Sequence, residues 1–273
     1  MRSTAPLFAV VAPMRDEAGA VAALVEEIRV ACAPIGPFEA VLVDDGSTDA
    51  TQEMLAQAQA ANPWLRVVRH PGSFGQSAAL VSGVRAAEAP LIATLDGDGQ
   101  NPPAEIPRLL APFLAADRPA DLGLVCGVRA RRRDGAVRRL ASRAANLLRR
   151  ALLRDGSPDT GCGLKAFPRA TFLDLPVFDH MHRFLPALFL ADGWEVRHVG
   201  VGHRPRGAGK SKYGQIDRAL VGALDLFGVW WLLRRRRRSA PARRALVDLP
   251  RADRARPEDA PAATTSLTGT ANG

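Results

Sequence analysis

Cysteine, tyrosine and long apolar runs are scarce in this chain, and each scarcity removes a class of explanation. The three cysteines, Cys32, Cys126 and Cys162, are odd in number and far apart, which excludes a disulfide framework and any CxxC metal or redox site and fits a reducing cytoplasm. Aromatics make up 5% of residues, with one tyrosine. No stretch reaches the roughly 18 uninterrupted apolar residues of a membrane span; the nearest, Ala219 to Leu233, is interrupted by Asp225. The N-terminal apolar segment Leu7 to Ala12 is short, follows a single basic residue, Arg2, and runs into Arg15-Asp16-Glu17. It reads as a first strand rather than an export signal.

What the chain does have is apolar residues, 47% of 273, enough for a sizeable core. It also has a basic surplus, with a formal charge of +9 and a pI near 10.7. The surplus is concentrated: Arg129 to Arg154 holds ten arginines against Asp134, and Arg234 to Arg238 adds five more, so the remainder is net acidic. Two basic patches on an acidic body, few aromatics and no recognised binding motif argue against a nucleic-acid-binding protein.

Up to about Val128, short apolar runs alternate with helical periodicity, the pattern of an α/β fold with a mostly parallel central sheet flanked by helices. Strands are expected at Leu7 to Ala12, Phe38 to Val43, Leu65 to Arg69, Leu91 to Leu95 and Leu122 to Val128. Val21, Leu24, Val25, Ile28 and Cys32 share one helix face. Further helices are expected from Ser47 to Ala61, from Gln76 to before Pro90, and after Pro102-Pro103. Arg138 to Arg154 reads as an Arg-rich amphipathic helix. Beyond it come a Gly-rich turn at Asp159 to Gly163, a helix near Phe184 to Ala191, a strand near Glu195 to Val201, a loop from His203 to Tyr213, and a last helix from Gln215 to Leu233 ending in Trp230-Trp231. The expected division is an α/β unit over 1–214, an amphipathic helix with its poly-arginine end over 215–238, and a disordered tail over 239–273.

In such a sheet the ligand lies at the carboxyl ends of the strands. Asp96-x-Asp98 sits at such an end, where two hard carboxylates can share a divalent cation and its phosphate ligands, with Gln100 adding a neutral oxygen. A lone DxD is more often a tight turn. Asp44-Asp45-Gly46-Ser47-Thr48-Asp49 ends another strand, and alone it would be a turn with Ser47 or Thr48 capping a helix.

Together, Val11 to Glu17, Val43 to Asp49, Leu95 to Pro103, Asp159 to Lys165 and His203-Arg204-Pro205-Arg206 to Ser211-Lys212-Tyr213 resemble the inverting family-2 glycosyltransferases of GT-A fold. The likeness is to the branch of dolichyl-phosphate mannose synthase and the bacterial polyprenyl-phosphate glycosyltransferases, over about residues 7 to 233. The resemblance implies that Pro13, Arg15, Glu17, Asp44, Asp45 and Asp96 bind the sugar nucleotide. It implies that Asp96, Asp98 and Gln100 hold Mg²⁺ or Mn²⁺, and that Arg204, Arg206, Ser211 and Lys212 cover the diphosphate. Arg129 and Arg131 then meet the acceptor phosphate, with Asp159 facing the acceptor as base or orienter. Asp16 stands where the family usually has Asn, which leaves a uridine or guanosine donor open.

The implied reaction moves a hexosyl or hexuronosyl group from a nucleoside diphosphate to a polyprenyl phosphate, at the cytoplasmic face of the plasma membrane. A lipid phosphate has its second pKa near 6 and needs charge neutralisation more than a base. The competing acceptor is a hydroxyl, which needs a general base; His180 and His182 read instead as part of a structured loop. The basic helices suit an anionic membrane surface, or, for the last helix, an integral membrane partner; the plainer reading packs their apolar stripes on the core and solvates the arginines, as it does for part of Arg131-Arg132-Arg133.

Overall fold

The structure, a computed structural model, describes residues 5–129, 149, 151–204 and 215–235, with side chains of the last segment from residue 222. Arg131, Arg206, Ser211 and Lys212, most of the Arg-rich helix, and the tail from 239 lie outside the described residues.

The chain begins with β1 (Phe8–Met14), α1 (Val21–Cys32), β2 (Phe38–Asp44), α2 (Thr51–Ala61), β3 (Leu65–Arg69), α3 (Gln76–Ala86) and β4 (Leu91–Thr94). It continues through α4 (Ile106–Leu114), β5 (Leu122–Arg129), β6 (Lys165–Pro168), α5 (Arg169–Leu173), α6 (Leu185–Ala191), β7 (Glu195–Val201) and α7 (Gln215–Arg235). The sheet has seven strands in the order β3-β2-β1-β4-β6-β5-β7. All neighbours are parallel except those of β6, which runs antiparallel to both β4 and β5. Sheet strands buried on both faces read as continuous apolar runs, which is why β1, β2, β4 and β5 are visible in the sequence; β3, at the sheet edge, is mostly half-exposed.

The α1 stripe buries Val21, Leu24, Val25, Ile28 and Cys32 as the spacing predicts. Two elements differ. Helix α2 starts at Thr51, not Ser47, because Ser47 and Thr48 are taken up by another loop: Ser47 Oγ accepts from the Asp16 N–H at 3.0 Å, and Thr48 N–H and Oγ1 donate to Asp16 Oδ1 at 2.7 and 3.1 Å. Neither caps the helix; Asp49 Oδ1 accepts from Thr51 N–H at 2.9 Å instead. Strand β6, KAFP, went unread because it is four residues long and opens on a buried lysine.

Arg149 is interior as well: its Nη1 donates to Asp155 Oδ2 at 2.6 Å and its Nη2 to the Ser157 carbonyl, so one member of the basic surplus is a core ion pair rather than surface charge. Burial pushes the Cys32 and Cys126 thiols up to about 12, so both stay protonated and unreactive.

Gly83 sets how close α3 lies to the sheet. A Cβ there would stand 2.4 Å from Val11 Cγ1 and 3.0 Å from Val43 Cγ2. Gly83→Ala is expected to lower the unfolding free energy by about 1–3 kcal/mol through overpacking, despite alanine's better helix propensity, as read by urea denaturation.

Candidate active site

Parallel register brings the carboxyl ends of β1, β2 and β4 to one edge, with Met14 beside Asp44 and Val11 beside Thr94. Backbone bonds extend this alignment past the strands, Asp45 N–H to the Met14 carbonyl at 2.9 Å and Gly97 N–H to the Pro13 carbonyl at 3.2 Å. Gly97 permits the second contact, since a Cβ there would meet Met14 Cγ at 2.4 Å. The motifs near Pro13, Asp44 and Asp96 thereby converge.

Their residues divide into two groups. Asp45 holds the loop at 70–75: its oxygens accept from Phe74 N–H, Gly75 N–H, Ser73 Oγ and, through a 2.8 Å contact, His70 Nδ1. Burial works against its charge, but these bonds keep its carboxyl below the ordinary range. Arg15 likewise turns to that loop, Nη1 donating to Ser73 Oγ at 2.7 Å. Asp16, at φ +54°, uses one oxygen as acceptor for Thr48, a role an asparagine carbonyl would fill equally well. Asp44 differs. It is 1% exposed, its Oδ1 accepts from Ser47 N–H at 2.9 Å, and its Oδ2 has no partner among the described residues.

Below Pro13 lies a cleft of about 450 Å³, lined in part by Gln76, Asp96, Arg129, Gly161, Lys165 and His182. Asp96 stands at its floor. Oδ1 accepts from Gln76 Nε2 at 2.7 Å and Oδ2 from Asn101 Nδ2 at 2.8 Å, while Gly163 presses against the carboxyl so closely that a Cβ would approach within 2.5 Å. Burial and the charge of Asp98 push the Asp96 carboxyl up, against the pull of Lys165, Asn101 and Arg129. Two oxygen donors of like charge, one of them raised by the other, suit a hard divalent cation, which would remove the repulsion. Among the described residues no group of three or more His, Cys, Asp or Glu converges on a metal position, so neutral oxygens such as that of Gln100 would complete any coordination.

Across the cleft, Arg129 Nε and Nη2 donate to the two oxygens of Asp159 at 2.7 and 2.8 Å. Burial opposes ionisation of Asp159, but this fork holds its carboxyl below the ordinary range. In this arrangement Asp159 is paired with Arg129, and its carboxylate is a weakened proton acceptor. His182, contacting Ser77 Oγ through Nδ1 at 2.8 Å, is driven down to about 3 by burial, with Lys165 adding to the effect, and is neutral at pH 7. Arg204 is not brought to the cleft: its N–H donates to the Gln100 carbonyl at 2.9 Å and its guanidinium binds Glu27 of α1 at 2.8 and 2.9 Å.

The family model for Glycosyl transferase family 2 matches residues 9–174. The chain belongs to that family. Among curated proteins it is similar to the dodecaprenyl-phosphate galacturonate synthase of Rhizobium johnstonii, 35% identical over 83% of this chain and 67% of that protein. It is also similar to undecaprenyl-phosphate 4-deoxy-4-formamido-L-arabinose transferases of Pectobacterium carotovorum, 35% over 75% and 62%, and Pseudomonas aeruginosa, 36% over 76% and 60%. The chain thus spans only about two thirds of the length of these curated relatives.

Solved structures share the fold of this family-2 glycosyltransferase. The glucosyl-3-phosphoglycerate synthase of Mycobacterium tuberculosis, in complex with Mn²⁺, UDP and glucosyl-3-phosphoglycerate, gives a TM-score of 0.60 at 20% identity, covering 83% of this chain and 79% of that one. A mannosyltransferase of Pyrobaculum calidifontis with GDP-Man and Mn²⁺ gives 0.60 at 19%, over 89% and 68%. The fold is GT-A: a mostly parallel seven-stranded sheet flanked by helices.

Four residues in or beside this glycosyltransferase's cleft carry no assignment from the sequence. Asn101, which bonds Asp96 from outside the cleft lining, belongs to the Leu95 to Pro103 segment without a role, and Gln76 is visible only as a helix start. His182 was read as loop. Lys165 carried one signal, a lysine opening an apolar run after a Gly-rich turn.

The depressed carboxyl of Asp159 ties stability to pH. Its pairing contributes fully above the unfolded carboxylate range, near pH 4, and is lost as pH falls through the lower folded value. Asp159→Asn is expected to flatten the acid limb of urea unfolding free energy against pH below about pH 4; an unchanged limb would show that the pair adds nothing.

Proposed function

We propose that this family-2 glycosyltransferase moves a hexosyl or hexuronosyl group from a UDP- or GDP-sugar to a polyprenyl phosphate, with inversion, at the cytoplasmic face of the plasma membrane. One observation carries the reading: the cleft sets Asp96, with Asp98 close behind it in the chain, opposite the cationic side chains of Arg129 and Lys165, and among the described residues it offers no poised base. Asp159 is committed to Arg129 and His182 is neutral with its proton affinity suppressed. A hydroxyl acceptor needs a base; a phosphomonoester, with a second pKa near 6, is already an anion. The names of the curated relatives, all acting on prenyl phosphates, support the same acceptor class.

In this reading Pro13, Glu17 and Asp44 hold base and ribose, the open Oδ2 of Asp44 accepting a nucleotide donor group. Asp45 and Arg15 shape that pocket by fixing the loop at 70–75. Asp96, Asp98 and Gln100 would hold Mg²⁺ or Mn²⁺, which supplies charge neutralisation to the diphosphate. Arg129 and Arg131 bind the acceptor phosphate, and Arg206, Ser211 and Lys212 cover the donor, with Arg204 anchoring that loop on Gln100 and Glu27. An acceptor oxygen attacks the anomeric carbon from the face opposite the diphosphate, the bond to the diphosphate breaks, and no proton need be removed.

Helix α7 supports membrane docking. It buries Leu226 and Val229 and is fastened by Asp225 Oδ2 to His180 Nδ1 at 2.8 Å. Its outer stripe, Leu224, Phe227 and Trp231, is 74%, 63% and 51% exposed. Arg234 and Arg235 lie over the Trp230 and Trp231 rings, 4.2 and 5.6 Å from the centroids. No described helix is long and apolar enough to cross a membrane. An apolar stripe ending in cations fits an anionic interface.

The test is label transfer from UDP- and GDP-sugars to a short-chain polyprenyl phosphate, with Mg²⁺ or Mn²⁺ and with EDTA. A metal-dependent, organic-extractable product is expected, and Asp98→Asn should cut turnover by at least about a hundredfold without changing the melting temperature. Donor hydrolysis without lipid product would move the acceptor to a hydroxyl. Phe227→Ala with Trp231→Ala should lower partitioning onto anionic vesicles by about tenfold or more; unchanged sedimentation with vesicles would remove the docking role from this stripe.

A further inference from the structure

Strand β6 begins with a lysine where a central strand ordinarily carries an apolar side chain. Lys165 is 3% exposed, paired in register with Thr94 of β4 and Cys126 of β5, and it lines the cleft with Asp96 and Arg129. Its Nζ donates to the Cys162 carbonyl, and among the described residues this is its only hydrogen-bond partner, with no carboxylate at ion-pair distance. An ammonium has three N–H donors, so two are left over.

The other interior cations are arranged differently. Arg129 is bound through two N–H groups to Asp159 and Arg149 to Asp155, so each pair has a net charge of zero. Arg129 alone therefore brings little net charge toward a dianion. Among the described residues Lys165 is the interior cation of this region with no carboxylate at ion-pair distance; Asp96 and Asp159 feel its charge only through space, and an ammonium so placed gains when an anion joins it directly.

We propose that Lys165 is a substrate-binding residue that contacts the acceptor phosphate where it meets the donor diphosphate. The identity of that phosphate rests on the function proposed above; the anion subsite itself does not. Arg129, oriented by Asp159, gives the subsite its directional fork, and Lys165 gives it net positive charge. Lys165 forms and breaks no covalent bond. The acceptor enters as a phosphomonoester near a charge of two and leaves as a phosphodiester of charge one, so the hold of Lys165 weakens once the sugar is attached. The same residue thus favours acceptor binding and product release.

Lys165→Met, close in shape and uncharged, separates this role from a structural one. On the full chain, three quantities are measured: the melting temperature, farnesyl phosphate binding by calorimetry in EDTA, and UDP or GDP binding with Mn²⁺. The expected result is a little-changed melting temperature, since relief of a buried charge and loss of its attraction to Asp96 oppose each other, with farnesyl phosphate affinity down by about tenfold or more and nucleotide affinity within about twofold. Inorganic phosphate should compete with farnesyl phosphate on the wild type, and Lys165→Arg should recover part of the lost affinity. Unchanged farnesyl phosphate affinity would overturn the assignment. So would a lower melting temperature with both ligands lost together, the mark of a purely structural contact to Cys162. If the wild type glycosylates polyprenyl phosphate and Lys165→Met does so with the same acceptor KM, this assignment fails while the function stands. If the wild type glycosylates no lipid phosphate yet binds inorganic phosphate in a Lys165-dependent way, the function fails while the anion subsite stands.

Discussion

The cleft depends on keeping the Asp96 carboxylate where its charge is unfavourable. It is enclosed at the end of β4, pressed by Gly163 and repelled by Asp98, and a charge removed from water in this way is tolerated only with fixed partners. Gln76 from α3 and Asn101 from the loop after β4 supply donors, and Arg129 and Lys165 supply opposite charge from strands β5 and β6. The local loop at Asn101 and three segments distant in sequence, at Gln76, Arg129 and Lys165, are therefore committed to one carboxyl group. The antiparallel insertion of β6 between β4 and β5 is what brings the last of them close, because it lays Lys165 directly beside Thr94.

A second set of polar contacts builds the walls rather than the chemistry. Asp45, Arg15, Ser73 and His70 tie the loop at 70–75 to the end of β2, and Asp16, Ser47, Thr48 and Asp49 tie the loop after β1 to the start of α2. Each uses a carboxylate to collect backbone and hydroxyl donors, so the loops are rigid without an apolar core of their own. The cost of leaving such donors unpaired explains why so many acidic residues gather at this sheet edge.

The C-terminal helix reaches the cleft through a short relay. Asp225 holds His180, and two residues on, His182 contacts Ser77 at the start of α3. His180 sits at φ +61°, in the left-handed region that residues with a β-carbon enter uncommonly, histidine more often than most. Asp225, which breaks the apolar run of the last helix, bonds that helix to the loop at His180.

The sequence by itself determined the N-terminal strands, the α1 face and the position of the DxD motif at a strand end, because short-range periodicity and strand-terminal turns are local properties. The family likeness was legible for the same reason, motif by motif. What only the tertiary structure decided is which charges are paired and which are left open. Asp44 keeps an open oxygen while Asp45, its neighbour, is fully occupied; Arg204 turns to Glu27; Arg149 is interior; Lys165 lies buried beside the carboxylates. Alternation along the chain separates two faces but does not name the partner on either. The role of a charged side chain is set by its burial and by the nearest opposite charge, and both come from segments tens of residues away.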